Sequence, residues 1–183
     1  MTESRAETIG GLLEAVEEIE LGAARAYAAI AHLLVDGNAR QRKFWLEMSR
    51  EEWEHASFVS AARILLARRH RLDLPSPVPY RAALAPAKER LARVADALRG
   101  AGLTLHEAFE AAITIEESEA NRVFGEVCGI LAEVAATEGL SDLVASAKEA
   151  GNEGSAHVEH LIDTMKRTLG DPDLVRSARK VLS

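Results

Sequence analysis

The chain has 183 residues, a length that suits one domain, and 48% of them are hydrophobic, enough for a sizeable core and against disorder. Aromatic residues are only 4%, while alanine, leucine, glutamate and arginine dominate, which favours helix over strand. A net charge of −7 argues against a nucleic-acid partner, because no basic face would neutralise phosphates.

Ser4-Arg5-Ala6-Glu7 matches a capping box and opens a first helix over about 5–36. Leu13, Val16, Glu20, Ala23, Tyr27, Ile30 and Leu34 share one face of it, and Asp36-Gly37-Asn38 supplies a turn. A second helix follows over about 39–70, with Phe44, Met48, Glu52, His55, Val59, Ala62 and Leu66 on one face. The short turn makes these two helices antiparallel neighbours. Four of the five prolines fall between Asp73 and Pro86, so 71–103 reads as a crossover. Within it, Pro86 can open a short helix to about Leu98. Thr104 and Glu107 form another capping box, starting a third long helix over about 104–137. Its inward residues are Phe109, Ile113, Glu116, Ala120, Val123, Val127, Ile130 and Val134. Ser141 can cap a fourth helix over about 141–169, and Pro172 can begin a short terminal one. The expected fold is all-α: two helical hairpins in a four-helix bundle, joined by a long crossover between the second and third core helices, with short extra helices. That is the ferritin-like connection pattern.

Glutamate recurs on these apolar faces, where it is rarely buried unless paired or bound to metal. Glu52 and His55 are three apart and project from one face, as do Glu116 with Glu119 and His157 with His160. Residues equidistant from a hairpin turn lie level. Glu20 and Glu52 have their midpoint at 36, in the first turn. Glu116 with His160, and Glu119 with His157, share a midpoint at 138, beside Gly139. Glu153 falls about 13 Å from Glu116 along the axis and is a poor candidate. Several carboxylates turned into one core need a common cation, and two metal ions in a bundle supply it. Oxygen-rich sites ended by histidine suit iron or manganese, and zinc can occupy them. Tyr27, one face-repeat from Glu20, sits beside the site, where it can hydrogen-bond a carboxylate or supply an electron.

These residues resemble the rubrerythrin family of the ferritin-like superfamily. Glu20 followed by Tyr27, the Glu-x-x-His of Glu52 and His55, and the Glu-x-x-Glu of Glu116 and Glu119 all match its motifs. The likeness covers roughly 8–70 and 104–169. It departs at Phe124, where the family has tyrosine, and at His157, where the fourth-helix Glu-x-x-His has its glutamate; His160 fits the histidine. A histidine cannot bridge two metals as a carboxylate does, so the site should hold the second metal more weakly or prefer another metal. No Cys-x-x-Cys accompanies Cys128, so the family's rubredoxin-like iron domain is missing. The resemblance implies two metal ions, iron foremost, held by Glu20, Glu52, His55, Glu116, Glu119, His157 and His160. It further implies peroxide reduction or ferrous iron oxidation with peroxide or oxygen as substrate, an external electron donor and a homodimer.

Blander readings stand beside this one. Glu52 and His55 alone also suit a solvated face, helix phase leaves Glu117 as the alternative inward acid, and His157 and His160 suit a surface. Tyr27 and Phe124 suit core packing, and Trp45, Met48 and Phe58 suit core or dimer surface. Two other functions follow: a non-enzymatic metal-binding or iron-handling module, or a metal-free helical interaction domain. The lone Cys128 suits a reducing compartment, and no apolar stretch reaches transmembrane length. With an N-terminus unlike a signal peptide, the expectation is a cytoplasmic protein without a membrane partner.

Overall fold

The first helix, α1 (Ile9–Leu33), starts where Thr8 accepts a hydrogen bond from the Gly11 N–H at 3.2 Å. The computed structural model describes residues 7–76, 79–100, 102–116 and 120–180, and side chains other than those of 120–122 and 152–156. The cap expected at Ser4 lies outside the described residues. α2 (Ala39–Ala67) begins with a reciprocal capping box: the Gln41 N–H donates to Asn38 Oδ1, and the Asn38 N–H donates to Gln41 Oε1. Asn38 therefore both turns the chain and satisfies two helix-end donors. The residues expected inward on both helices, including Glu20, Glu52 and His55, are buried.

After α2 the chain returns to the start of α1. Ile9 and Gly10 donate to the carbonyls of Leu74 and Leu72, each at 2.9 Å. α3 (Tyr80–Ala97) begins six residues before the expected start at Pro86, which lies inside it. Tyr80, Leu84, Ala87 and Val94 face the core, while Pro86 and Ala82 are exposed. The carbonyl that Pro86 leaves without an N–H thus faces solvent, which lowers the cost of an interior proline. The chain then ties to the end of α1. Leu103 donates to the Leu33 carbonyl, Val35 donates to the Leu103 carbonyl, and the Leu105 N–H donates to Asp36 Oδ1. Gly102 makes this approach at φ 139°, and a Cβ there would stand 2.4 Å from Val35 Cγ1.

α4 (Leu105–Glu116) carries the expected capping box, with Glu107 accepting from the Thr104 N–H at 2.8 Å. α5 (Ala120–Thr137) follows; 117–119, within the single helix expected over 104–137, lie outside the described residues. On α5 the buried stripe runs through Val123, Val127, Leu131 and Ala135, one position beyond the expected Ile130 and Val134. α6 (Ser141–Thr168) is preceded by Leu140, not capped by Ser141, and has no side-chain cap. α7 (Pro172–Arg179) starts with proline and is capped by Asp171.

The chain is all-helical, with no strand among the described residues. α1 packs along α2, and α5 along α6; α3 lies against α1, α4 and α5, and α7 against α6 and α4. Arg71 and Arg69, just after α2, hold Glu138 at the end of α5. The buried side chains form two separate apolar clusters. One contains Leu12, Ile19, Val59, Val123, Leu131 and Ala150. The other contains Ala23, Tyr27, Met48, Ile115, Val158 and Met165. On α1, α2 and α6, and between α4 and α5, the change from one cluster to the other falls at Glu20, Glu52 with His55, His157 and Glu116 respectively. No described helix is long and apolar enough to cross a membrane.

Candidate metal centre

Between the two apolar clusters lie five buried ionisable residues: Glu20, Glu52, His55, Glu116 and His157, each 3 to 7% exposed. α1 places Glu20 on the face that also carries Val16 and Tyr27. α2 contributes Glu52 and His55 from the same side, since three residues are close to one helical turn. His55 Nδ1 stands 3.3 Å from Glu52 Oε2 and 3.6 Å from Glu20 Oε2. His157 Nε2 stands 3.3 Å from Glu52 Oε1 and 3.4 Å from Glu116 Oε1. Two three-residue groups result, Glu20–Glu52–His55 and Glu52–Glu116–His157, each with donor atoms within 4.8 Å of one another. They share Glu52, one oxygen facing each histidine.

The surroundings close the layer. Tyr27, fully buried, donates its O–H to Glu116 Oε1 at 2.6 Å. Ser49 crosses from α2 to the Ala24 carbonyl of α1 at 2.8 Å. The Phe124 ring lies 4.8 Å from that of His55. Phe124 thus covers a histidine, and no hydroxyl stands at that position.

Burial is the largest single influence on Glu52, His55, His157 and Tyr27. It pushes the Glu52 carboxyl up to about 7, against the pull of His55. For His55, burial opposes charge, yet hydrogen bonds to Glu20 and Glu52 outweigh it and carry the imidazole up to about 10. His157 likewise rises to about 9, burial being outweighed by the charge of Glu116 and a hydrogen bond to Glu51. Burial and then the Glu116 charge raise Tyr27 well above its ordinary range, so its O–H stays a donor. Protons on the histidines therefore provide the positive charge that the carboxylates demand.

The donor set suits a cation. His157 Nε2 is buried and has no hydrogen-bond partner, although two carboxylate oxygens face it. Two carboxylates and one imidazole per group, with a carboxylate in common, form an oxygen-rich mixed site for borderline divalent metals. These buried groups can hold a metal ion.

One expected position, His160, differs. Glu119 lies outside the described residues, as does the alternative Glu117. His160 is exposed and stands away from the five: its ring meets the Phe44 ring edge-on at 5.2 Å, in an open pocket with Arg40, Lys43 and Arg167. The expected level pairing of Glu116 with His160 is replaced by Glu116 with His157, one turn earlier in α6. Trp45 and Met48 are wholly buried and belong to the core. Sequence reasoning missed Glu51, whose Oε2 lies 3.0 Å from His157 Nδ1. Its only signal is its place beside Glu52, on the flank of α2 nearer α6. Comparison with protein-family models, with curated proteins and with solved structures finds no match for this chain.

Proposed function

We propose that the protein is a dimetal-carboxylate protein, of rubrerythrin-like type, acting in peroxide reduction or ferrous iron oxidation. α1, α2, α4 with α5, and α6 would form its ferritin-like core. The observation that carries the reading is five buried ionisable side chains in two groups that share one carboxylate. Carboxylates drawn to a common depth between two apolar clusters demand positive charge, and metal ions would supply it in place of the histidine protons.

In this reading Glu20 and His55 serve one ion, Glu116 and His157 serve the other, and Glu52 serves both. A pair of bound iron ions would supply redox chemistry toward peroxide or oxygen. The chain's own part is to position and to exclude. Tyr27 holds Glu116 through one oxygen. Phe124 shields His55. Tyr27 stacks on Trp45, with centroids 6.1 Å apart, and both rings are wholly buried. Electrons come from an external donor, and pairing into a homodimer belongs to the same reading.

Metal analysis of protein purified without chelator tests the proposal. The expected content is about two equivalents of transition metal; less than about half an equivalent, with no uptake of ferrous iron, overturns it. A second reading, a non-enzymatic iron-handling module, is favoured by His157, which cannot bridge two ions. Anaerobic ferrous loading followed by peroxide separates the two: rapid reoxidation supports the enzyme, and binding without reoxidation supports the module.

A further inference from the structure

The two buried histidines present different nitrogens to the carboxylates. His55 turns Nδ1 toward Glu20 and Glu52. His157 turns Nε2 toward Glu52 and Glu116, and its Nδ1 meets Glu51 Oε2 at 3.0 Å. A neutral imidazole carries one N–H and one lone pair, and the hydrogen bond made by one nitrogen decides where the lone pair lies. With Nδ1–H donated to Glu51, the lone pair falls on Nε2. That nitrogen is buried, lacks a hydrogen-bond partner, and faces two carboxylate oxygens.

Glu51 is built differently from the groups around the centre. Its side chain is 31% exposed, against 5% for His157. As the residue before Glu52, it stands about 100° further round α2. Successive residues of one helix thus grip His157 from two sides, Glu51 at the outer nitrogen and Glu52 at the inner one. The inner grip brings the ring to the centre, and the outer grip fixes its rotation.

We infer that Glu51 is the positioning residue of the second metal position: its carboxylate selects the Nδ1–H form of His157 and aims Nε2 at a divalent cation shared with Glu52 and Glu116. The inference rests on the dimetal reading above. It also explains how this chain can use a histidine at 157. The imidazole brings no charge of its own, but a carboxylate behind it raises its basicity and returns a negative charge one residue further out.

The experiment uses the full chain with Glu51→Ala, Glu51→Gln and, as control, Glu54→Gln, whose exposed carboxylate pairs with Arg50. Zinc is titrated into metal-free protein against a competing chelator. Nitrogen NMR of His157 reports its tautomer, in the zinc form and in metal-free protein titrated until the ring signals show it neutral. Glu51→Ala is expected to weaken the second zinc equivalent about 10- to 100-fold and leave the first unchanged. Glu51→Gln falls between, because an amide oxygen still accepts from Nδ1–H, and Glu54→Gln matches wild type. In Glu51→Ala the His157 signals shift toward a mixture of tautomers. Equal affinity for the second zinc and an unchanged tautomer in Glu51→Ala overturn the inference. Wild type that takes up no metal overturns the dimetal reading whatever the variants do, and the tautomer measurement then decides the hold of Glu51 on His157 by itself.

Discussion

Glu52 is the residue on which the centre turns, since it faces both histidines and belongs to both three-residue groups. The metal-free protein meets its demand with protons. Glu52 is raised from 4.5 to about 7, His157 from 6.5 to about 9, and His55 from 6.5 to about 10. All three shifts have one sign: the folded state binds more protons than the unfolded chain. The histidine contributions are complete below about pH 6.5 and disappear as pH rises through 9 and 10. The Glu52 contribution is complete below about 4.5 and disappears through 7. The melting temperature of metal-free protein is therefore expected to fall between pH 6.5 and 9.5. Thermal scans in chelator check this, and a curve flat or rising across that window rejects a proton-loaded centre. Cations that replace those protons must expel them. Calorimetric titration in buffers of different ionisation enthalpy should register release of about two to three protons at pH 7.

At the scale of elements, some helix ends were readable in the sequence. Thr104 with Glu107 forms the capping box its spacing predicts. Asn38 with Gln41 forms a second one that a turn-rich Asp-Gly-Asn string conceals. Asn38→Ala is expected to cost about 1 kcal/mol. In a chain of this size that lowers the melting temperature by about 2–4 °C, measured by calorimetry, with zinc affinity unchanged. The start of α3 was hidden because Pro86 reads as a beginning, although Tyr80, Leu84, Ala87, Leu91 and Val94 already repeat at helical spacing. Glu20, Glu52 and His55 were legible because a short turn ties α1 to α2 in register. Across α5 and α6 the register slips. The approach of Gly151 to Cys128 has its midpoint at 139.5, level with the turn, whereas that of Glu116, at the end of α4, to His157 falls at 136.5. One helical turn of offset is about 5.4 Å, enough to exchange one histidine for another and too little for a midpoint argument to detect. Glu51 was out of reach for a different reason: its role depends on which nitrogen of a distant ring it meets.

For the whole molecule, the ionisable layer lies where one apolar cluster gives way to the other. A cation bound only by the folded state stabilises it by mass action, about 2.7 kcal/mol at a hundredfold excess over Kd. Adding zinc should therefore raise the melting temperature, and Glu20→Ala should shrink that rise while Leu12→Ala should not. Leu12, wholly buried away from the layer, should instead cost about 2–5 kcal/mol with or without zinc. A variant series in which both substitutions alter the zinc-dependent increment equally speaks against a cation in the layer.

That layer also constrains how such a protein can change over time. An oily side chain substituted at any one of the five positions strands its neighbours' charges in a dry interior, and the penalty of several kcal/mol arrives at once. Relief comes only when the others follow. A lineage abandoning its ions would have to cross a valley of poorly folding intermediates, so the five residues should be kept or lost together, whereas either greasy half can drift on its own.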